Sequence, residues 1–354
     1  MRLPPALLVP ALLAGLVLVA PGAGADGPAV GDTTVFASVG APGHPDTSIV
    51  LPGGDIAVST NRGARGAPGP SKVFRFRPDG TLVRTYEITG QASGDHGTMG
   101  MALDKKGRLY LADYAPARVL RIDLRTGAQT TYATLPNLPS CAPGAAGPCD
   151  NGVGDSAPWT DGLAFDSAGR LLVTDLAQGT VFRVPNGGGK PQVWLQGPEL
   201  RSTFGANQVQ VTPQGDLLLS VTMSTLPGLA GRGVLYRVDV APDGSAGPLT
   251  QLYATAPAEG PDGFALGRSG KIYLVTLVTN RLVVLRPDGT EERSFTRPLT
   301  GAAPFDSPSS ATLVGGGRLL VTNLTYFTGS PERALVLSVH VADEPVADLR
   351  PAVR

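Results

Sequence analysis

The chain has 354 residues, with 29 basic and 29 acidic side chains, three histidines and two cysteines. That balance offers no basic run on which nucleic acid would be held, and so few His and Cys exclude zinc sites of the Cys/His type. The 47 glycines and 33 prolines punctuate apolar runs instead of forming low-complexity tracts, which points to a folded, turn-rich chain.

At the N-terminus, Arg2 gives a minimal positive region, residues 6–20 are apolar, and Ala23-Gly24-Ala25 is a small-residue cleavage site. Fifteen apolar residues are too few for a comfortable membrane span, and no second candidate follows. Residues 1–25 therefore read as a signal peptide. The expected mature protein is secreted or periplasmic, monomeric, free of membrane spans and starts near Asp26, with 28 basic residues against 29 acidic ones once Arg2 is removed.

After the leader, TTVFASV at 33–39 reads as a lone strand, and then a regular pattern begins. Six times a residue stands eight positions before a turn glycine: Asp46/Gly54, Met99/Gly107, Asp161/Gly169, Asn207/Gly215, Asp262/Gly270 and Ser309/Gly317. Each glycine precedes an apolar strand (DIAVST, RLYLAD, RLLVTD, DLLLSV, KIYLVT, RLLVTN). Third strands follow as KVFRFR, RVLRID, TVFRVP, VLYRVD and RLVVLR, alternating as half-buried strands do. In the clearest unit the strands are expected at 263–267, 271–276, 281–286 and 291–296, with Asp-Gly at 288–289 supplying the second tight turn.

Intervals of about fifty residues and four strands per unit predict an all-β, six-bladed propeller. The last unit ends at ALVLSVHV with three strands, so the strand at 33–39 is expected to complete it and close the ring. The propeller is assigned residues 26–343, and 344–354 read as a loose C-terminal tail. Cys141 and Cys149, in the loop SCAPGAAGPC between units two and three, are expected to form a local disulfide.

In a propeller the residue just before each inner strand lies at one rim of the channel. Asp46, Asp161, Asn207 and Asp262 are thus expected to converge there, with Met99 and Ser309 at the two remaining places. Taken singly, an Asp or Asn before a strand is a common turn former. Four in register put three carboxylates and an amide around one axis, where oxygen ligands suit a hard cation: Ca2+ first, then Mg2+, Mn2+ or Zn2+. His44 and His96 flank the same mouth, either as a proton-handling pair or as exposed loop residues. Trp159, Phe204 and Phe305 stand near three of the inner strands, where they wall a pocket or pack between blades.

The segments TDGLAFDSAGRLLVTD at 160–175 and GPDGFALGRSGKIYLV at 260–275 resemble the SMP-30/gluconolactonase/LRE-like six-bladed propellers, with some likeness to NHL-type propellers. That resemblance implies a rim metal held by residues of blades one, four and five, which fall on Asp46, Asn207 and Asp262. A further contact to metal or substrate falls on Asp161. Asn207 and Asp262 keep the residue type of the family, whereas Asp46 replaces a longer Glu and Asp161 replaces an amide.

The function so implied is a divalent-metal-dependent hydrolase of lactones or related esters, acting on a small molecule at the channel mouth. Asp262 (or His96) would take the proton and Asp161 would orient the substrate. The alternative is a non-catalytic propeller that binds a protein or glycan partner.

Overall fold

The computed structural model describes residues 27–40, 43–61, 69–141, 147–296 and 305–354. The expected signal peptide and its cleavage point lie outside the described residues. Among those residues, six antiparallel sheets of four strands each make a six-bladed propeller, and helix is limited to two three-residue 3-10 turns at Pro198–Leu200 and Pro331–Arg333. No helix among them is long and apolar enough to cross a membrane.

The inner strands are Pro45–Val50, Thr98–Leu103, Thr160–Phe165, Ser202–Val211, Pro261–Leu266 and Pro308–Gly315. Five blades run outward in chain order, while the sixth takes its outermost strand, Thr33–Ser38, from the N-terminus. That strand pairs antiparallel with Leu335–His340, from Thr33 opposite Val339 to Ser38 opposite Leu335. All six turn glycines, Gly54, Gly107, Gly169, Gly215, Gly270 and Gly317, have φ between 69° and 96°. This is the left-handed region that L side chains rarely adopt, which is why the sequence marks every turn with glycine.

The core lies between neighbouring blades. Tyr110 and Val119 of blade two meet Leu163 and Phe165 of blade three, and Tyr273 and Val275 of blade five meet Leu313 and Leu319 of blade six. Each such side chain contributes about 1.5–3 kcal/mol of burial, so the blades are held to one another by apolar contact and within themselves by strand pairing.

The inner strands surround a chamber of about 320 Å3, whose lining includes Thr47, Gln208, Gln210, Thr312 and, from the tail, residues 345–350. The tail is not loose, as its sequence suggests, but crosses the turn side of the ring. Arg268 N donates to Glu344 O at 2.7 Å, and Lys105 N to Pro351 O at 2.9 Å. Arg350 Nη2 donates to Val50 O at 2.8 Å, and Arg108 Nη2 to Val353 O at 2.7 Å. Val353 is buried in the core between blades two and three. The tail therefore straps blades five, one and two together and floors the chamber.

Candidate functional site

Every inner strand carries a β-bulge at the rim. The pairing with the second strand slips between Pro45 and Ser48, Thr98 and Met101, Thr160 and Leu163, Ala206 and Val209, Pro261 and Phe264, and Pro308 and Ser310. In each case the extra residue falls at the position that the eight-residue spacing marks. A bulge twists the strand locally and re-aims a side chain; here it does so six times around one axis. The bulge also packs the strands tightly. A Cβ on Gly100, Gly162 or Gly263 would lie 2.5 or 2.6 Å from the carbonyl oxygen of Asp161, Asn207 or Ser309 in the next blade, so only glycine fits at these three places.

Second-strand hydroxyls fix the rim backbone. Ser59 Oγ accepts from Thr47 N at 3.1 Å and donates to Met99 O of the next blade at 2.7 Å. Ser220 Oγ accepts from Gln208 N at 3.0 Å and donates to Asp262 O at 2.9 Å. Thr174 does the same between Gly162 N and Asn207 O, and Thr322 Oγ1 donates to Asp46 O at 2.6 Å. One hydroxyl thus satisfies the bulge of its own blade and holds the rim residue of its neighbour. Blades two and five carry Ala112 and Val275 at the equivalent place.

The rim side chains Asp46, Asp161 and Asn207 are buried and Asp262 is half-buried. Asp46 Oδ1 accepts from Thr47 Oγ1 at 3.1 Å and its carboxyl also bonds Asn61, yet burial pushes it up to about 7. Burial raises Asp161 well above the usual carboxylate range, with Asp46 and Asp175 adding to the effect. Asp262 is raised by burial and by Asp161 and Asp46, against a lowering hydrogen bond from Asn207. Asp46 thus acts on Asp161, and both act on Asp262, across the rim. Asp161 Oδ2 is buried without a hydrogen-bond partner, and so are its neighbours Thr160 Oγ1 and Trp159 Nε1.

The donor set suits a hard cation in chemistry. Asn207 Nδ2 donates to Thr222 Oγ1 at 3.1 Å, and the amide also bonds Asp262, which leaves Oδ1 as its ligating atom. Two carboxylates, one amide oxygen and the orphaned Asp161 oxygen are all oxygen donors of the kind Ca2+ takes. Among the described residues, however, no three His, Cys, Asp or Glu side chains are grouped as a complete ligand set. A site built on Asp46, Asn207 and Asp262 thus depends on the amide oxygen and on water.

His44 and His96 are buried, not exposed. His44 Nδ1 meets Leu324 O and Thr325 Oγ1, both at 3.0 Å. His96 sets its two ring nitrogens against backbone carbonyls, Gly94 O at 2.8 Å and Gly69 O at 3.1 Å. Phe305 packs in the core between blades five and six, and Phe204 is half-buried. Trp159 packs its ring against Tyr114, with centroids 4.8 Å apart and the planes tilted by 36°. Cys141 and Cys149 are joined as a disulfide.

Sequence reasoning missed the second layer of the mouth. Seven residues past the turn glycines stand Asn61, Tyr114 and Thr222 in blades one, two and four. Asn61 bonds Asp46, Thr222 receives Asn207, and Tyr114 Oη donates to Asp95 Oδ1 at 3.0 Å. The same spacing, continued past the glycine, would have found all three.

No family model matches the chain, and no curated protein matches it in sequence. Solved structures match in fold. A protein named as a candidate gluconolactonase superposes with a TM-score of 0.59 at 16% identity, covering 89% of this chain and 94% of that one. The calcium-binding protein regucalcin from Agrobacterium tumefaciens gives a TM-score of 0.57 at 14% identity, covering 91% and 99%. Virginiamycin B lyase from Staphylococcus aureus gives 0.53 at 17% identity, covering 82% of each chain. The chain thus has the fold of the SMP-30/gluconolactonase-like six-bladed propellers.

Proposed function

We propose that this chain is an exported, divalent-metal-dependent hydrolase of lactones or related esters. The observation that carries the reading is the rim itself: burial raises all three carboxyl groups, Asp46 further raises Asp161, both further raise Asp262, and one buried oxygen has no partner. Such an arrangement costs stability unless positive charge enters it. The names of two fold neighbours, a candidate gluconolactonase and a calcium-binding regucalcin, agree with the reading. The disulfide agrees with export through a leader cleaved near Ala25.

In this reading Asp46, Asn207 and Asp262 hold the ion, Ca2+ before Mg2+, Mn2+ or Zn2+. When bound, a divalent ion supplies polarisation of the carbonyl and a water of lowered pKa. Asp161 offers Oδ2 to a substrate hydroxyl and so orients the ring, while Asp262 accepts the proton lost by the attacking water. Asn61 and Thr222 keep Asp46 and Asn207 in place from the second strands.

The test is hydrolysis of gluconolactone and of an aromatic lactone by the mature protein, before and after chelation, with metal content measured in parallel. Activity is expected to vanish with chelator, to return with Ca2+, and to fall by at least about a hundredfold in Asp262→Asn. A protein that carries no metal, melts at the same temperature with or without Ca2+ and turns over neither lactone is instead a partner-binding propeller.

A further inference from the structure

The chamber inside the ring takes no part in the proposed hydrolysis at the rim. It measures about 320 Å3, at the lower end of the roughly 300–1,000 Å3 that small-molecule sites occupy. Much of its wall is apolar, with Ile49, Phe165, Val211 and Leu266 contributed by four blades and Val346 by the tail.

Two sets of polar groups interrupt that wall. Gln208 and Gln210 line the chamber from the blade-four inner strand, both half-buried. Among the described residues their carboxamides make no hydrogen bond. Arg350, from the tail, is the only cation in the lining among the described residues. Its Nη2 donates to Val50 O at 2.8 Å, which ties the guanidinium to blade one. Asp348 Oδ2 stands 3.4 Å from the same nitrogen, a long hydrogen bond, and its side chain is 48% exposed. Asp348 is thus well screened by solvent and offsets only part of the charge. Nε and Nη1 make no bond among the described residues, so three of the five guanidinium donors remain.

The blades pack in chain order around the ring, so blades one and four face each other across the channel. A free cationic fork and a pair of free carboxamides therefore stand on opposite walls, with apolar surface between them. A carboxylate suits the first, because a guanidinium bonds it about twice as strongly as it bonds a neutral acceptor. A hydroxyl, which both donates and accepts, suits the second. The acidic rim does not forbid the anion: Val50 lies four residues along the strand from Asp46, about 13 Å at 3.3 Å per residue, beyond the screening length of about 8 Å at physiological salt.

We propose that the chamber binds a small hydroxycarboxylate, with its carboxylate on Arg350, its hydroxyl on Gln208 or Gln210 and its carbon chain along the apolar wall. Hydrolysis of a lactone releases an acid of this kind, so in the hydrolase reading the chamber holds product; the site itself does not rest on that reading.

The experiment is calorimetric titration of the mature protein, once metal-free with the chelator dialysed away and once Ca2+-loaded. The probes are 6-hydroxyhexanoate, its uncharged analogue 6-hydroxyhexanamide, and heptanoate, in which a methyl replaces the hydroxyl. The hydroxy acid is expected to bind saturably in both forms, at least about tenfold more tightly than the amide and roughly 2- to 10-fold more tightly than heptanoate. Arg350→Gln should remove the preference for acid over amide. Replacing Gln208 and Gln210 together by Leu should remove the preference for the hydroxyl and leave heptanoate bound. Val346→Phe, which fills the chamber, should abolish binding of all three, and a thermal melt of each variant checks that it is folded. Equal binding of acid and amide, or no saturable binding of the acid, overturns the site. So does binding that needs Ca2+ and survives Arg350→Gln, since the carboxylate is then on the rim ion. Hydroxy acid binding without lactone turnover leaves the chamber site standing and sinks the hydrolase; turnover without such binding does the reverse.

Discussion

A carboxyl group such as that of Asp46, pushed from 3.8 to about 7 mainly by burial, is a stability problem before it is a functional asset. Between those two values the native state holds a proton that the unfolded chain has released. The metal-free protein therefore loses stability as pH rises through this window. For Asp46 alone the full loss is on the order of 4 kcal/mol, at 1.36 kcal/mol per pKa unit, and Asp161 and Asp262, also raised, act with the same sign. The chelated protein should accordingly melt at a clearly lower temperature at pH 8 than at pH 5. Asp46→Asn should flatten that slope and raise the pH 8 melt, since an amide is buried without charge. Millimolar Ca2+ should raise the melt of the unmodified chain more at pH 8 than at pH 5, because only ionised carboxylates ligate well. Calorimetric scans of the chelated and Ca2+-loaded forms at both pH values decide the matter, and a slope untouched by Asp46→Asn would refute the assignment of the charge to this rim.

At the level of the strand, the eight-residue spacing gave the turn glycines and the rim residues, because both are set by local chemistry: positive φ at the turn, and one side chain per inner strand. The strands expected at 263–267 and 271–276 appear at Pro261–Leu266 and Ile272–Thr276, within two residues. What stayed illegible was the bulge, since an extra residue shows only against a partner strand. Also hidden were the hydroxyls that bind the bulges of one blade to the carbonyls of the next. Ser59, Thr174, Ser220 and Thr322 look like ordinary strand residues until the neighbouring blade is in place. The exposed alternative for His44 and His96 failed, and of the two places open to Phe305 the inter-blade one is taken, because burial of loop residues depends on which blades they lie between. The hydroxyl bridges carry their own prediction. Ser220→Ala removes an acceptor from Gln208 N and a donor to Asp262 O, both half-buried, and should cost about 1–2 kcal/mol in urea unfolding. Val275→Thr, at a position that lacks the hydroxyl, should cost far less than burying a threonine elsewhere. If Ser220→Ala unfolds with the midpoint of the parent, the bridges do not hold the rim.

Across the whole molecule, a propeller must keep its first and last blades together, and this chain does so at both termini. Thr33–Ser38 completes the sixth sheet, a closure that the three-strand last unit foretold. The C-terminal tail makes the second closure. Its apolar residues, Val346, Leu349 and Val353, show no strand or helix period, so nothing in the local pattern announced that Val353 is buried and Val346 half-buried. Yet the tail receives hydrogen bonds from backbone or side chains at Arg268, Lys105, Arg108 and Asn186, and Val353 enters the core between blades two and three. It crosses the ring opposite the acidic rim and lines the chamber with residues 345–350. Removing residues 344–354 would expose Val353's pocket and leave the Arg350 bond to Val50 unmade. One buried valine accounts for about 1.5–3 kcal/mol, and a net hydrogen bond for about 1 kcal/mol. The truncated protein should therefore lose roughly 2.5–4 kcal/mol and melt several degrees lower, while Val353→Asp alone should reproduce more than half of that loss by burying a charge. A truncated chain with the melting temperature of the parent would mean that the strap bears no load and that the N-terminal strand closes the ring by itself.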